Sequence, residues 1–348
     1  MRFDIVRGRF PLKVFFVLFA CAVFGYVQQA SAVLVSYEPF EYTAGSEILG
    51  LNGGGGFGAA WTGRANNAAN VPAGTSAVQA ASMAHPTQPG DLPTIGGSML
   101  LDATQPAGTT ATTQPARDLS AQAKSILDAA PTTWFSFLGQ RQGVATDPMI
   151  SNLPNNPYPR GVNLSLFGQD VATDDELVGF GNSSNATDNT YSIVPDGGGS
   201  NREGAYDPAG SASPGVPDNV GAATFPYQNL EWVVVRIDHQ VGVDNIYMWL
   251  SPDPLSEPST ASADATILST DTNAFEYGSI GAIRAFVGNQ GGTPNAENWR
   301  PAGAIQLDEI RLGTTYADMR STTVVPEPAA FLLMLLGGLG ALAIRRRG

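Results

Sequence analysis

Two histidines and one cysteine in 348 residues leave few groups for nucleophilic chemistry. A hydroxyl or thiol nucleophile needs a positioned base. His85 lies beside Pro86 with no acidic or nucleophilic pattern around it, and His239 follows Asp238 at the end of a predicted strand, where a solvent-facing turn role is expected. Carboxylates are plentiful, and Asp170, Asp174, Asp175 and Glu176 lie close together, followed by Asp188, Asn189 and Asp196. Calcium takes six to eight oxygens from such groups, which makes Asp174, Asp175 and Asp188 its candidate ligands, although neither run fits the EF-hand spacing. The simpler reading is acidic residues marking turns. Beyond possible calcium, no cofactor is expected. Asp308 and Glu309 are adjacent, so a regular strand would send them to opposite faces. Tyr247, Trp249 and Trp299 are the aromatic candidates for contact with a polysaccharide. The run Gly53 to Gly56 is followed by no Lys-Ser/Thr and no helical pattern, so it reads as a turn or bulge, not a phosphate loop.

The elements that would position these residues are short. Apolar stretches rich in β-branched and aromatic residues alternate with Gly, Pro, Asn and Asp clusters, the spacing of an all-β chain. Strands are predicted at 34–38, 98–102, 132–141, 162–168, 176–181, 190–194, 231–238, 245–250, 280–287 and 305–312. Several alternate with period two: Val162, Leu164 and Leu166 oppose Asn163 and Ser165. In 305–312 the alternation slips at Asp308-Glu309, which predicts a bulge. One helix is expected at 119–130, capped by Asp118 or Ser120 and stopped by Pro131. The stretches 65–93 and 103–116 carry few large apolar residues and read as mobile, forming long surface loops or irregular edge structure, and 195–223, with Gly197-Gly198-Gly199 and four prolines, is a third mobile stretch.

Both ends carry addresses. Arg2, Arg7, Arg9 and Lys13, an apolar run from Val14 to Val27 and the small-x-small pattern ending Ala30-Ser31-Ala32 form a signal peptide over 1–32, cleaved after Ala32. Cys21 then leaves with it, and the remainder has no disulfide and no thiolate ligand. At the other end, Ala329 to Ile344 is sixteen uncharged residues, roughly 24 Å of helix, just short of a hydrocarbon core of about 30 Å. Arg345, Arg346 and Arg347 would stay cytoplasmic and leave everything before Pro326 outside. Without leader and tail the net charge falls from −13 to about −19, with Lys124 the one lysine left. That balance argues against nucleic acid or anionic lipid, which need a basic footprint. About 290 residues suffice for one large domain, here placed at 33–320.

The order Pro326-Glu327-Pro328, short apolar span, basic terminus resembles the PEP-CTERM sorting signal of Gram-negative bacteria, here occupying 321–348. The resemblance implies processing by an exosortase, transient anchoring in the membrane and delivery to the cell surface or extracellular matrix. The intervening region resembles a concanavalin A-like or laminin-G-like jelly roll. The resemblance rests on Tyr37-Glu38-Pro39-Phe40-Glu41-Tyr42 with the glycines up to Trp61, Thr133 to Leu138, Val234 to Asp238, Asn245 to Pro252, and Leu307 to Gly313. It implies a β-sandwich and, for the closing Asp-Glu-Ile-Arg strand, a scaffold role. Glucanases occur on this fold with a strand bearing Glu-x-Asp-x-x-Glu, and that pattern is absent. The expectation is therefore a surface-sorted matrix protein without catalytic activity, contacting polysaccharide through aromatic side chains. The alternative is a glycan-active hydrolase or lyase whose carboxylates converge from loops.

Overall fold

The computed structural model describes residues 34–86, 90–103, 112–142, 162–173, 175–182, 191–195, 230–269, 278–288 and 303–324. The signal peptide, the Pro-Glu-Pro motif and the apolar tail lie outside them, as do Asp174, Asp188, Trp299 and the stretch 196–229. Among the described residues no helix is long and apolar enough to cross a membrane.

The chain is an all-β sandwich of two antiparallel sheets. Its strands are β1 (Leu34–Glu38), β2 (Thr62–Gly63), β3 (Ser76–Gln79), β4 (Ser98–Asp102), β5 (Pro115–Asp118), β6 (Thr132–Arg141) and β7 (Val162–Phe167). There follow β8 (Glu176–Asn182), β9 (Ser192–Pro195), β10 (Glu231–Asp238), β11 (Asn245–Leu250), β12 (Ala265–Ile267), β13 (Ala282–Val287) and β14 (Ala304–Gly313). The larger sheet runs β12-β11-β10-β6-β14-β4-β3 with β1 added on β14; the smaller runs β2-β5-β13-β7-β8-β9. The helix α1 (Ala121–Ala129) begins where Ser120 accepts from the Ala123 amide and buries Ala123 and Leu127 against the core.

Between the sheets, alternate residues interleave: Phe135, Phe137, Val233, Val235 and Ile246 from one side, Leu164, Leu166, Val178, Phe180 and Ile283 from the other. Each such side chain withdrawn from water contributes about 1.5–3 kcal/mol. The larger sheet is covered on its outer face too. Trp134, Leu138, Trp232, Val234 and Trp249 pack there under Met83, Leu92, Tyr316 and Met319. This explains why β6 and β10 read as nearly continuous apolar runs.

That second layer corrects the surface-loop alternative at 65–93, while the edge-structure alternative is met by β3 at the end of the larger sheet. Val71, Val78, Met83, His85 and Leu92 are buried, and the stretch contributes β3. From 103–116, the described end forms the start of β5. The glycine run is neither phosphate loop nor free turn. Gly55 exchanges backbone hydrogen bonds of 2.9 and 3.0 Å with Tyr37, while Gly54 and Gly56 take positive φ where an added Cβ would meet the carbonyls of Tyr37 and Val35.

Candidate functional site on the outer face of the smaller sheet

Ile283 and Ala285 of β13 point into the core, so Arg284 between them points outward. Register sets Arg284 beside Ser165 of β7, and Ser165 beside Gly179 of β8; one step along, Phe286 faces Asn163 and then Gly181. Regular alternation in β8 would put Leu177 on this outer face and Glu176 inside. A bulge between Leu166 and Phe167 of the β7 pairing reverses that: Leu177 joins the core and Glu176 turns outward.

The result is a hydrogen-bonded row across three strands, β13, β7 and β8, extended by Gln114 just before β5. Arg284 Nη2 pairs with Glu176 Oε1 and donates to Ser165 Oγ at 3.3 Å, while Nη1 donates to Gln114 Oε1 at 3.2 Å. Ser165 Oγ donates to Glu176 Oε1 at 2.5 Å and has Asn163 Oδ1 at 3.2 Å. Arg64 reaches the same Gln114 oxygen at 3.3 Å. Phe167 and Phe286 flank the guanidinium, each ring centroid 5.2 Å from its carbon. Glu176 is 4% exposed, and among the described residues its buried Oε2 has no hydrogen-bond partner. A buried acceptor left unpaired costs about 1–3 kcal/mol. Gly179 leaves the floor bare; a Cβ there would lie 3.1 Å from both Asn163 Nδ2 and Ser165 Oγ.

Chemically, one carboxylate is held by a guanidinium through Oε1 while Oε2 remains able to accept a proton or a hydrogen bond. The sequence named Glu176 only within an acidic run. Two signals were there to find it: a glutamate opening a strand, and the alternating pair Gly179 and Gly181 behind it.

The sequence candidates fall elsewhere. Asp308 and Glu309 do form a bulge, Glu309 taking φ +54. Both are buried and bind the 82–95 segment: Asp308 accepts from Ser82 Oγ and the Met83 amide, Glu309 from the Ile95 amide and Tyr37 Oη. His239 follows the end of β10 as expected and is partly exposed, at 22%. Its Nε2 lies 2.9 Å from Thr133 Oγ1 and its Nδ1 3.3 Å from the buried Asp244. His85 is enclosed edge-on against Trp232, and burial pushes its pKa down. Trp249 is 2% exposed, stacked between Trp134 and Tyr247. Asp175 is half-buried, its carbonyl taking the Gly168 amide at 2.8 Å. Among the described residues no three His, Cys, Asp or Glu side chains are grouped to hold a metal ion.

No protein-family model matches the chain, and no curated protein matches it in sequence. Solved structures share the sandwich. An endo-1,3-beta-glucanase from Streptomyces sioyaensis is 11% identical with a TM-score of 0.45, the match covering 82% of this chain and 97% of that one. An alginate lyase, Aly36B, in complex with alginate tetrasaccharide is 12% identical at 0.35, covering 82% and 98%. The receptor binding domain of botulinum neurotoxin type G is 10% identical at 0.34, covering 83% and 50%. Those activities belong to those proteins. The expectation of a protein without catalytic activity is corrected to this extent: two of these matches, each covered over nearly its whole length, are a glucanase and a lyase, and at these TM-scores they show no activity of this chain.

Proposed function

We propose that the chain is a glycan-active enzyme, a lyase or hydrolase on a concanavalin A-like jelly roll, with Glu176 as its proton acceptor. The observation that carries this reading is the buried Glu176 Oε2, without a hydrogen-bond partner among the described residues, within the row of Arg284, Ser165, Asn163 and Gln114. Arg284 neutralises Oε1 and orients the carboxylate, so that Oε2 takes the proton. Hydrolysis would need a second carboxylate about 5–9 Å away. The hydrogen-bonded row contains one carboxylate beside guanidinium and amide groups, the set that suits elimination next to a sugar carboxylate. In that step the ring C–H proton goes to Oε2, its electron pair forms the new carbon–carbon double bond, the carbon–oxygen bond to the neighbouring sugar breaks, and the leaving oxygen takes a proton from solvent water.

The test is a panel of neutral β-glucans and uronate polymers. Unsaturated ends are read by ultraviolet absorbance and new reducing ends by colour. Turnover by the wild type and its loss by at least about 100-fold in Glu176→Gln, assayed under conditions where circular dichroism shows the variant folded, is the expected result. Full activity in Glu176→Gln, or no cleavage of any polymer by the wild type, overturns the reading.

Export belongs to the same proposal. The basic leader with Ala30-Ser31-Ala32 and the tail Pro326-Glu327-Pro328 with Arg345 to Arg347 support secretion to the cell surface, with an exosortase as processing partner. An enzyme outside the cell would meet polymeric glycans there.

A further inference from the structure

The chain turns from β10 into β11 through residues 239–244, and register fixes what meets this turn. Ile237 of β10 pairs with Thr133 of β6, and the His239 amide donates to the Pro131 carbonyl at 2.9 Å. Thr133 alternates with Trp134, which faces the outer layer, so its side chain turns inward as those of Phe135 and Phe137 do. It borders a cavity of about 210 Å³ whose lining includes Leu127, Asp128, Thr133, His239, Asp244 and Ile280.

Three of these side chains form a relay. Thr133 Oγ1 lies 2.9 Å from His239 Nε2, and His239 Nδ1 lies 3.3 Å from Asp244 Oδ2. Asp244 is 2% exposed, and its Oδ1 accepts from the Gln240 amide at 2.9 Å, which fixes the carboxylate within the turn. A carboxylate beside Nδ1 holds the ring proton there and leaves the Nε2 lone pair to accept from the hydroxyl. A hydroxyl within roughly 2.6–3.2 Å of a base that a third group orients is the arrangement that makes it a nucleophile, and it recurs on unrelated folds. Sequence alone hides it, because Thr133 and His239 stand 106 positions apart.

The cavity limits what could react. Its volume lies below the range of roughly 300–1,000 Å³ usual for small-molecule sites, so it takes a small acyl group. Leu127 and Ile280 give it apolar walls, while Asp128 and Asp244 border it with no lysine or arginine, which disfavours an anion.

We propose that Thr133, His239 and Asp244 hydrolyse neutral short-chain esters such as acetyl esters, with Thr133 as nucleophile, His239 as general base and Asp244 positioning the ring. Thr133 Oγ1 gives its proton to Nε2 and bonds to the ester carbonyl carbon; the bond to the alcohol oxygen breaks, and that oxygen leaves with the proton from Nε2. Water then gives a proton to Nε2 while its oxygen bonds to the acyl carbon. The carbon–Oγ1 bond breaks, Oγ1 recovers the proton, and the carboxylic acid departs. The relay shares no residue with the Glu176 row and stands whether or not that row is catalytic.

The full chain incubated with p-nitrophenyl acetate tests this, read by release of nitrophenol and by mapping acetyl groups on the acid-quenched protein by mass spectrometry. Saturable hydrolysis is expected, with an acetyl group on Thr133. Thr133→Val keeps the volume and should lose at least about 100-fold in kcat/KM, Thr133→Ser should retain activity, and Asp244→Asn should lower kcat at least about tenfold with little change in KM. Hydrolysis no faster than in buffer, activity kept in Thr133→Val, as an imidazole acting alone would give, or acetyl groups found only away from Thr133 would overturn the proposal. The acetyl map is made on the wild type, so it decides even where a variant fails to fold.

Discussion

Arg284 and Glu176 bring opposite charges together at 0% and 4% side-chain exposure, a placement whose cost depends on both partners being present. Removing one member of such a pair strands the other, typically at about 3–5 kcal/mol. Arg284→Ala should therefore lower the free energy of unfolding by that order, read from urea titration. Glu176→Gln keeps the shape and one acceptor but leaves the Arg284 charge unpaired, so it too should lower stability by up to that order. A second buried pair makes a useful contrast. Glu38 accepts from Arg117, from Trp61 Nε1 at 3.0 Å, from Tyr42 Oη at 2.9 Å and from the Phe40 amide at 3.0 Å. Both of its oxygens are spent inside the protein, so it fastens β1 to β5 and leaves nothing for a ligand. The unpaired oxygen of Glu176 separates a site from a clasp.

At the scale of elements, two bulges decide where carboxylates point. The one in β14 was legible because the apolar alternation of 305–312 slips visibly at Asp308-Glu309. The one in β8 was not, because it is defined by the pairing of Leu166 and Phe167 with residues of another strand. Strands with strong alternation, such as 231–238 and 245–250, have in the structure the bounds their sequence implies. β5, with the sequence Pro-Ala-Arg-Asp, carries no large apolar residue; only the distant Glu38 makes burial of its Arg117 tolerable, and nothing local announces that. The segment at 82–95 was missed for the same reason, being held by Asp308 and Glu309 across more than 200 positions. Burial and the neighbouring Glu309 push the Asp308 pKa up from 3.8 to about 8. Glu309, Asp318, Glu231 and Asp264 are raised too, each chiefly by burial. Between pH 4 and 8 the folded chain thus binds more protons at Asp308 than the unfolded chain does. Its contribution to stability is full below the unfolded pKa and is lost as pH rises through about 8. The midpoint of thermal unfolding should fall from pH 5 to pH 9, and Asp308→Asn should flatten that slope. An unchanged slope in the variant would contradict the assignment.

For the whole molecule, the sandwich offers two unlike faces. The larger sheet is roofed by an aromatic layer, and the smaller presents the Glu176 row. Of the eighteen lysines and arginines in a chain of net charge −13, seven lie in the two end segments that the proposed export would remove. Mass spectrometry of the protein from its native host should find a first residue Val33 and no terminal arginines; an intact Met1 or an intact Arg345 to Gly348 tail would remove the export reading. The most direct test of the central claim is to locate a bound oligosaccharide by diffraction from crystals of Glu176→Gln soaked with the polymer fragment that the wild type cleaves. The account predicts a sugar on the outer face of the smaller sheet, within hydrogen-bond distance of the side chain at position 176 and of Arg284. A fragment bound only elsewhere, with the row unoccupied at saturating ligand, would contradict it.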